Sequence, residues 1–302
     1  MRAKRWTGFG VVLCAVDFSE PSRRALRYAA AVASRGDGRL AVLHVNDPML
    51  IAAARAACPN LDLAGRNAKE LNRFVREALG PRPPVGVDSL VATGVASDQI
   101  VAAAARARAG LIVLGAHGLT GTARLIVGST ALAVLKRAHV PVLAIPASGK
   151  RSRDVRWWPH GRLLAAVDLD ERTPGDVHTA ARVAEWFGCA LMLVHVVADP
   201  GAPAWLHPRL TVHEKIRVAR ARERLRRAAV RSGAAGAAVR VRRGRPAEGI
   251  AAIADRERAA LLVTVLRDRR TWFGGRRASV TYRVLAHARV PILACPPRWR
   301  PR

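Results

Sequence analysis

The chain has 302 residues, 50% of them hydrophobic, and 51 basic against 22 acidic side chains give it a formal net charge of +29 at pH 7. That length and apolar content suit two domains with real cores, and no stretch reaches the roughly 18 uninterrupted apolar residues of a membrane-spanning helix. The arginine-dominated charge bears on association with nucleotides, nucleic acids or acidic surfaces, not on fold.

Met1 to Trp6 lead directly into an apolar run without a small-residue cleavage pattern, so a soluble, cytoplasmic protein is expected. Cys14, Cys58, Cys189 and Cys295 have neither Cys-x-x-Cys nor metal-ligand spacing. Buried inert thiols in a reducing compartment fit that pattern.

In chain order, Leu13 to Val16 make a short buried strand that stops at Asp17-Phe18-Ser19-Glu20-Pro21. The helix after it presents Ala25, Leu26, Ala29, Ala30 and Ala33 to the core, with Ser19 and Ser22 as candidate caps and Pro21 in the opening turn. Asp17 therefore stands at the carboxyl end of the first strand. It is placed either to orient a ribose hydroxyl or approach a divalent ion, or to form an Asx-turn or cap.

Leu40 to Val45 form the second buried strand, within which His44 reads as a hydrogen-bonded structural histidine. A helix-like stretch from Ala68 to Leu79, the break Pro81-Arg82-Pro83-Pro84 and a third strand around Val85 to Val91 follow. Another strand-to-helix junction at Thr93 to Ile100 opens a helix running to about Arg108.

Leu111 to Leu114 give the fourth strand, which ends in Gly115-Ala116-His117-Gly118 and is followed by Gly128-Ser129-Thr130 at the start of a helix from Thr130 to Ala138. Glycines there can adopt positive φ or let a ligand approach the main chain, and a helix start offers N–H groups, hydroxyls and the positive end of the dipole. The loop is neither a Walker A motif, since no Gly-Lys-Ser/Thr closes it, nor G-x-G-x-x-G. Val140 to Ile145 supply a fifth strand, and strands alternating with helices predict a parallel α/β sheet with ligands outside the strands' carboxyl ends.

Residues 148–160 read as a polar, basic linker, dividing a domain at 8–147 from a second at 161–297. The pattern then restarts. Leu164 to Asp168 answer Leu13 to Asp17, and Leu193-Val194-His195-Val196 answer Val42-Leu43-His44-Val45 at the same offset of 151. The glycine loop is not preserved: Val265 replaces Gly115, Asp268 replaces Gly118, and Ala278-Ser279-Val280 replace Gly128-Ser129-Thr130. Valine there removes the permissive backbone and Asp268 repels phosphate, so the second site is expected to hold no triphosphate.

The spacing Gly115-x2-Gly118-x9-Gly128-Ser129, together with Val11 to Glu20, His44-Val45 and Val140-Pro141-Val142, resembles the universal stress protein family in tandem form. The resemblance implies two tandem five-stranded parallel-sheet domains with helices on both faces, adenine nucleotide alpha hydrolase-like and Rossmann-like. It also implies an ATP site in the first domain, with Mg2+ as accompanying ion. Carried over residue by residue, Val45 would bond adenine through its backbone while Ala15 and Val16 wall the base and Leu114 packs nearby. Asp17 would lie near ribose and phosphates, and its place at the strand end makes it the expected metal-binding residue. Gly115 and Gly118 would line the nucleotide, His117 would be a polar liner, and Gly128, Ser129 and Thr130 would contact phosphates. Dimers of the family pair through the last strand, so an intrachain pseudo-dimer is expected, with a homodimer as a further assembly.

A stress-response protein that binds ATP with at most trace hydrolysis is therefore expected, because no water-orienting base with a paired cationic electrophile stands out. An ATP-using enzyme of the same broad fold, with His117 as its tempting residue, is the first alternative. A basic adaptor for nucleic acid or an acidic protein is the second. The arginine-rich stretch from Arg217 to Arg231 reads as a solvated helix face, since no aromatic-interleaved patch or known binding module accompanies it.

Overall fold

A computed structural model describes residues 7–58, 62–116, 127–147, 155, 158–199, 207–266, 278–297 and 299–301. The chain divides into two compact units, with residues 7–158 in one and the chain from Pro159 onward in the other.

In the first unit, β1 (Val11–Val16), β2 (Arg39–Asn46), β3 (Val87–Thr93), β4 (Leu111–Gly115) and β5 (Val142–Ile145) pair in the order β3-β2-β1-β4-β5. Every pairing is parallel. The inner strands are apolar along their length because both faces are covered: Val12, Leu13, Cys14, Leu40, Val42, Leu111, Ile112 and Val113 have no exposed surface. The helices are α1 (Glu20–Arg35), α2 (Pro48–Ala57), α3 (Leu63–Leu79), α4 (Ala96–Arg106) and α5 (Ser129–Arg137). α1 packs with α3 and α4 with α5, which makes the two covering layers.

α1 buries Ala25, Leu26, Ala29, Ala30 and Ala33 as its periodicity predicts, and Ser19 caps it by accepting a bond from Ser22 N. α2 was not anticipated. Asp47 caps it by accepting from Met49 N at 2.8 Å; none of its residues is buried, and its sequence is apolar at every position but Arg55, so no polar face sets off the stripe by which a helix is recognised. The third strand begins and ends two residues later than expected, at Val87 and Thr93.

The second unit repeats the plan. β6 (Arg162–Ala166), β7 (Ala190–Ala198), β8 (Ala238–Gly244), β9 (Leu261–Val265) and β10 (Ile292–Cys295) pair in parallel in the order β8-β7-β6-β9-β10. α6 (Thr173–Phe187) packs with α7 (His207–Arg231), and α8 (Pro246–Arg256) with α9 (Ala278–His287). Duplication reaches the backbone torsions: Arg108 and Arg258 both have φ 50°, and Gly94 and Gly244 have φ 145° and 138°. Among the described residues no helix is long and apolar enough to cross a membrane.

Candidate functional site

Strand order in the first unit reverses between β1 and β4, so the connections leaving their carboxyl ends diverge and open a crevice. A cleft of about 250 Å³ lies there. Ala15, Val16 and Asp17 enter from β1, Val45 from β2, Leu114 and Gly115 from β4, and Gly128, Ser129 and Thr130 from the start of α5. All the expected site residues that the structure describes therefore converge on one cavity. His117 and Gly118 lie outside the described residues, as does Asp268 of the second unit.

Of the two roles left open by the sequence, Asp17 makes the Asx-turn, and it also lines the cleft. Its Oδ1 accepts from Ser19 N at 3.1 Å and from Ser19 Oγ, an Asx-type turn that starts α1. Its Oδ2 has no hydrogen bond among the described residues, and the residue lines the cleft. It is the cleft's only ionisable wall residue among those described.

Phe18 adopts φ 64°, a left-handed conformation costly for a bulky side chain, and packs its ring 4.2 Å from His44 and 5.5 Å from Phe74. Arg23 lies 4.5 Å over Phe74. His44 Nδ1 is 3.0 Å from Val16 O, so the histidine braces the end of β1 and is structural, as its sequence context indicates. Its counterpart His195 makes the same contact with Val167 O at 2.9 Å.

Val45 lies beyond the last β1–β2 pair, Val16 with His44, so no strand accompanies it on the β1 side. On the far wall, Gly128 N donates to Ala116 O at 2.8 Å, and among the described residues no side chain caps α5. The first-turn amides of a helix that no side chain caps are open to water or an anion. Ser129 and Thr130 are exposed, with hydroxyls that take no capping role.

Positive φ, one of the two glycine rationales, does not hold at Gly115 or Gly128. Gly115 is an extended residue paired with Ile145, and Gly128 has φ −57°, so neither uses a left-handed conformation. What each supplies is the absence of a side chain beside the cleft. Val265 pairs with Cys295 in the same extended register, so valine there does not disturb backbone geometry.

Sequence reasoning did not place Leu43, Ala96, Ile100 and Ala131 in the wall, and Ser22 was taken only as a cap. Ser22 Oγ accepts from Asp17 N at 3.3 Å and donates to Ser19 O at 2.9 Å. Only its position one turn after Asp17 hinted at the cleft. Among the described residues no cluster of three metal-ligating side chains exists.

A five-stranded parallel sheet whose strand order reverses at its centre, with helices on both faces, defines a doubly wound α/β domain of the adenine nucleotide alpha hydrolase-like, Rossmann-like type, present twice in tandem. The universal stress protein family model matches at residues 8–146 and 160–296, and the chain belongs to that family. A universal stress protein of Mycolicibacterium smegmatis is 26% identical over 300 residues, spanning 97% of this chain and 98% of that one. One of Thermus aquaticus is 31% identical over 138 residues, 45% of this chain and 98% of its own length. The crystal structure of a universal stress protein from Archaeoglobus fulgidus shares the fold with a TM-score of 0.62 at 19% identity, covering 97% of this chain and 98% of that one.

Proposed function

We propose that the first unit binds an adenine nucleotide, ATP with Mg2+, and that this tandem universal stress protein responds to occupancy of that single site. The observation that carries the reading is the pairing across one cleft of Asp17 with the uncapped amino end of α5. The described walls hold no cation, so phosphate charge would be met by helix N–H groups, the Ser129 and Thr130 hydroxyls and a bound metal ion. Asp17 Oδ2 fits that ion, since Mg2+ is commonly held by one or two carboxylates plus substrate phosphates. Val45, unaccompanied on its β1 side, offers main-chain groups to the base, while Ala15, Val16 and Leu114 supply apolar walls.

His117 and Gly118 complete the proposed site by their place in the motif. The second unit is proposed to bind no triphosphate, because Val265 intrudes where Gly115 leaves room. Binding without efficient turnover is the preferred reading, since the described walls present no base paired with a cationic electrophile. Four free thiols suit the proposed cytoplasmic location.

Native mass spectrometry of the full chain in saturating MgATP tests this reading. One retained nucleotide per chain is expected; two would remove the asymmetry between units, and none would remove the nucleotide site. Turnover well above that of a Gly115→Val control would favour an ATP-using enzyme instead.

A further inference from the structure

α3 and α7 occupy the same place in their respective units, each crossing from the second strand to the outermost one. Their exposed faces differ sharply. α3 interleaves its charges: Arg73 meets Glu70 at 2.6 Å and Glu77 at 3.7 Å, and Arg23 of α1 meets Glu77 at 3.2 Å. That is how a merely solvated helix face is ordinarily built.

On α7, Arg217, Arg220, Arg224, Arg227 and Arg231 recur at intervals of three and four residues. They fall on one stripe along the helix, which buries Glu214, Ala221, Leu225 and Ala228 on another side. Arg217 is half-buried and the other four are exposed. Arg224 donates to the Leu169 carbonyl at 3.3 Å, a bond that leaves its charge uncompensated, and Arg227 pairs with Glu223 at 2.8 Å. Arg217, Arg220 and Arg231 have no hydrogen bond or ion pair among the described residues. Each successive pair in the stripe is a like-charge neighbour, which weakens a helix.

We propose that this stripe is a docking surface for the phosphate backbone of double-stranded nucleic acid, read without regard to sequence. The array runs along one helix for about 21 Å at 1.5 Å per residue, and so complements an extended polyanion. A protein partner would be expected to find an aromatic or other large anchor at its centre. Among the residues whose side chains are described, the exposed apolar ones beside the stripe are Ile216, Ala219 and Val230, and the α7 sequence carries no aromatic side chain besides histidine. The lack of Phe, Tyr or Trp also removes the stacking platform that single strands use. Guanidinium groups, by contrast, meet phosphates through directed, charge-assisted bonds that need no anchor.

The test is fluorescence anisotropy of a 20-base-pair duplex of arbitrary sequence with the full chain between low and moderate salt. Binding should weaken with a slope of about −4 in log K against log salt, at roughly −0.9 per phosphate contacted. Arg217→Gln/Arg220→Gln/Arg231→Gln should lower affinity about tenfold or more at low salt and reduce the slope's magnitude by about 3. The charge-matched control Arg66→Gln/Lys69→Gln/Arg76→Gln on α3 should change affinity less than threefold, with circular dichroism verifying that both variants fold. Equal losses in the two variants would overturn the proposal by showing that net charge alone is responsible. Failure of the unsubstituted protein to bind the duplex would overturn it too, as would equally effective competition by poly-glutamate at matched charge, which would point to an acidic protein.

Discussion

Gly115 and Val265 hold the same register position in their sheets. Gly115 ends β4 opposite Ile145, and Val265 ends β9 opposite Cys295. The protein thus carries its own demonstration that a β-branched side chain is compatible with this backbone. Gly115→Val should leave thermal stability nearly unchanged while lowering MgATP affinity at least about thirtyfold, since an overpacked pocket costs on the order of 2 kcal/mol. Calorimetric titration beside a melting curve checks both halves. Unchanged affinity would sink the assignment of the cleft.

Asp17 lends one oxygen to the turn before α1, and its other oxygen has no hydrogen bond among the described residues. Asparagine keeps an Oδ1 acceptor and loses the charge. Asp17→Asn should therefore fold as stably as the parent while losing most of the Mg2+ dependence of nucleotide binding. Asp17→Ala should also lose about 1 kcal/mol of stability with the turn. Urea unfolding and titrations with and without Mg2+ separate the two effects. Equal Mg2+ dependence in parent and Asn variant would remove the metal role.

Burial lowers the pKa of His195 below its ordinary 6.5, against the opposing pull of the Val167 carbonyl and Asp168. Folding then disfavours the protonated ring. The unfolded chain takes up more protons just below pH 6.5, so this group's contribution to stability is intact above that pH and declines as pH falls through the window. Histidine resonances followed by NMR should show His195 titrating lower than a solvent-exposed histidine. A midpoint above 6.5 would reverse the sign.

The thiols should divide by exposure. Cys58 is exposed, Cys189 half-buried, and Cys14 and Cys295 fully buried with thiol pKa values raised by desolvation. An aromatic disulfide reagent should modify Cys58 first and Cys189 more slowly, reaching the other two only in denaturant. Rapid modification of all four in native buffer would contradict the packing of β1 and β10.

Inner strands were legible because burial on both faces writes an uninterrupted apolar run, and the repeat was legible because His44 and His195 sit within equivalent runs. The glycine spacing pointed to the cleft and left two reasons for its glycines, room and torsion. Choosing room at Gly115 depends on strand register, which no local spacing reveals. α2 escaped because its sequence is apolar at every position but Arg55, so no polar and apolar faces alternate to give a helical period. Ile100 and Leu43 were invisible as wall residues because an apolar side chain on a core face looks the same whether its neighbour is protein or ligand.

The outermost strand of the second sheet, β8, has a further consequence. Arg240, Arg242 and Arg243 are all exposed on it, and Arg240 and Arg243 are steadied by Glu257 and by Glu214 and Asp199. A strand at the end of a sheet presents unpaired amides and carbonyls to any passing extended segment. Two such strands from separate molecules would have to bring arginines together before their main chains could bond. The same residues therefore act as gatekeepers, opposing growth of the sheet by addition of another strand and its slide into aggregates.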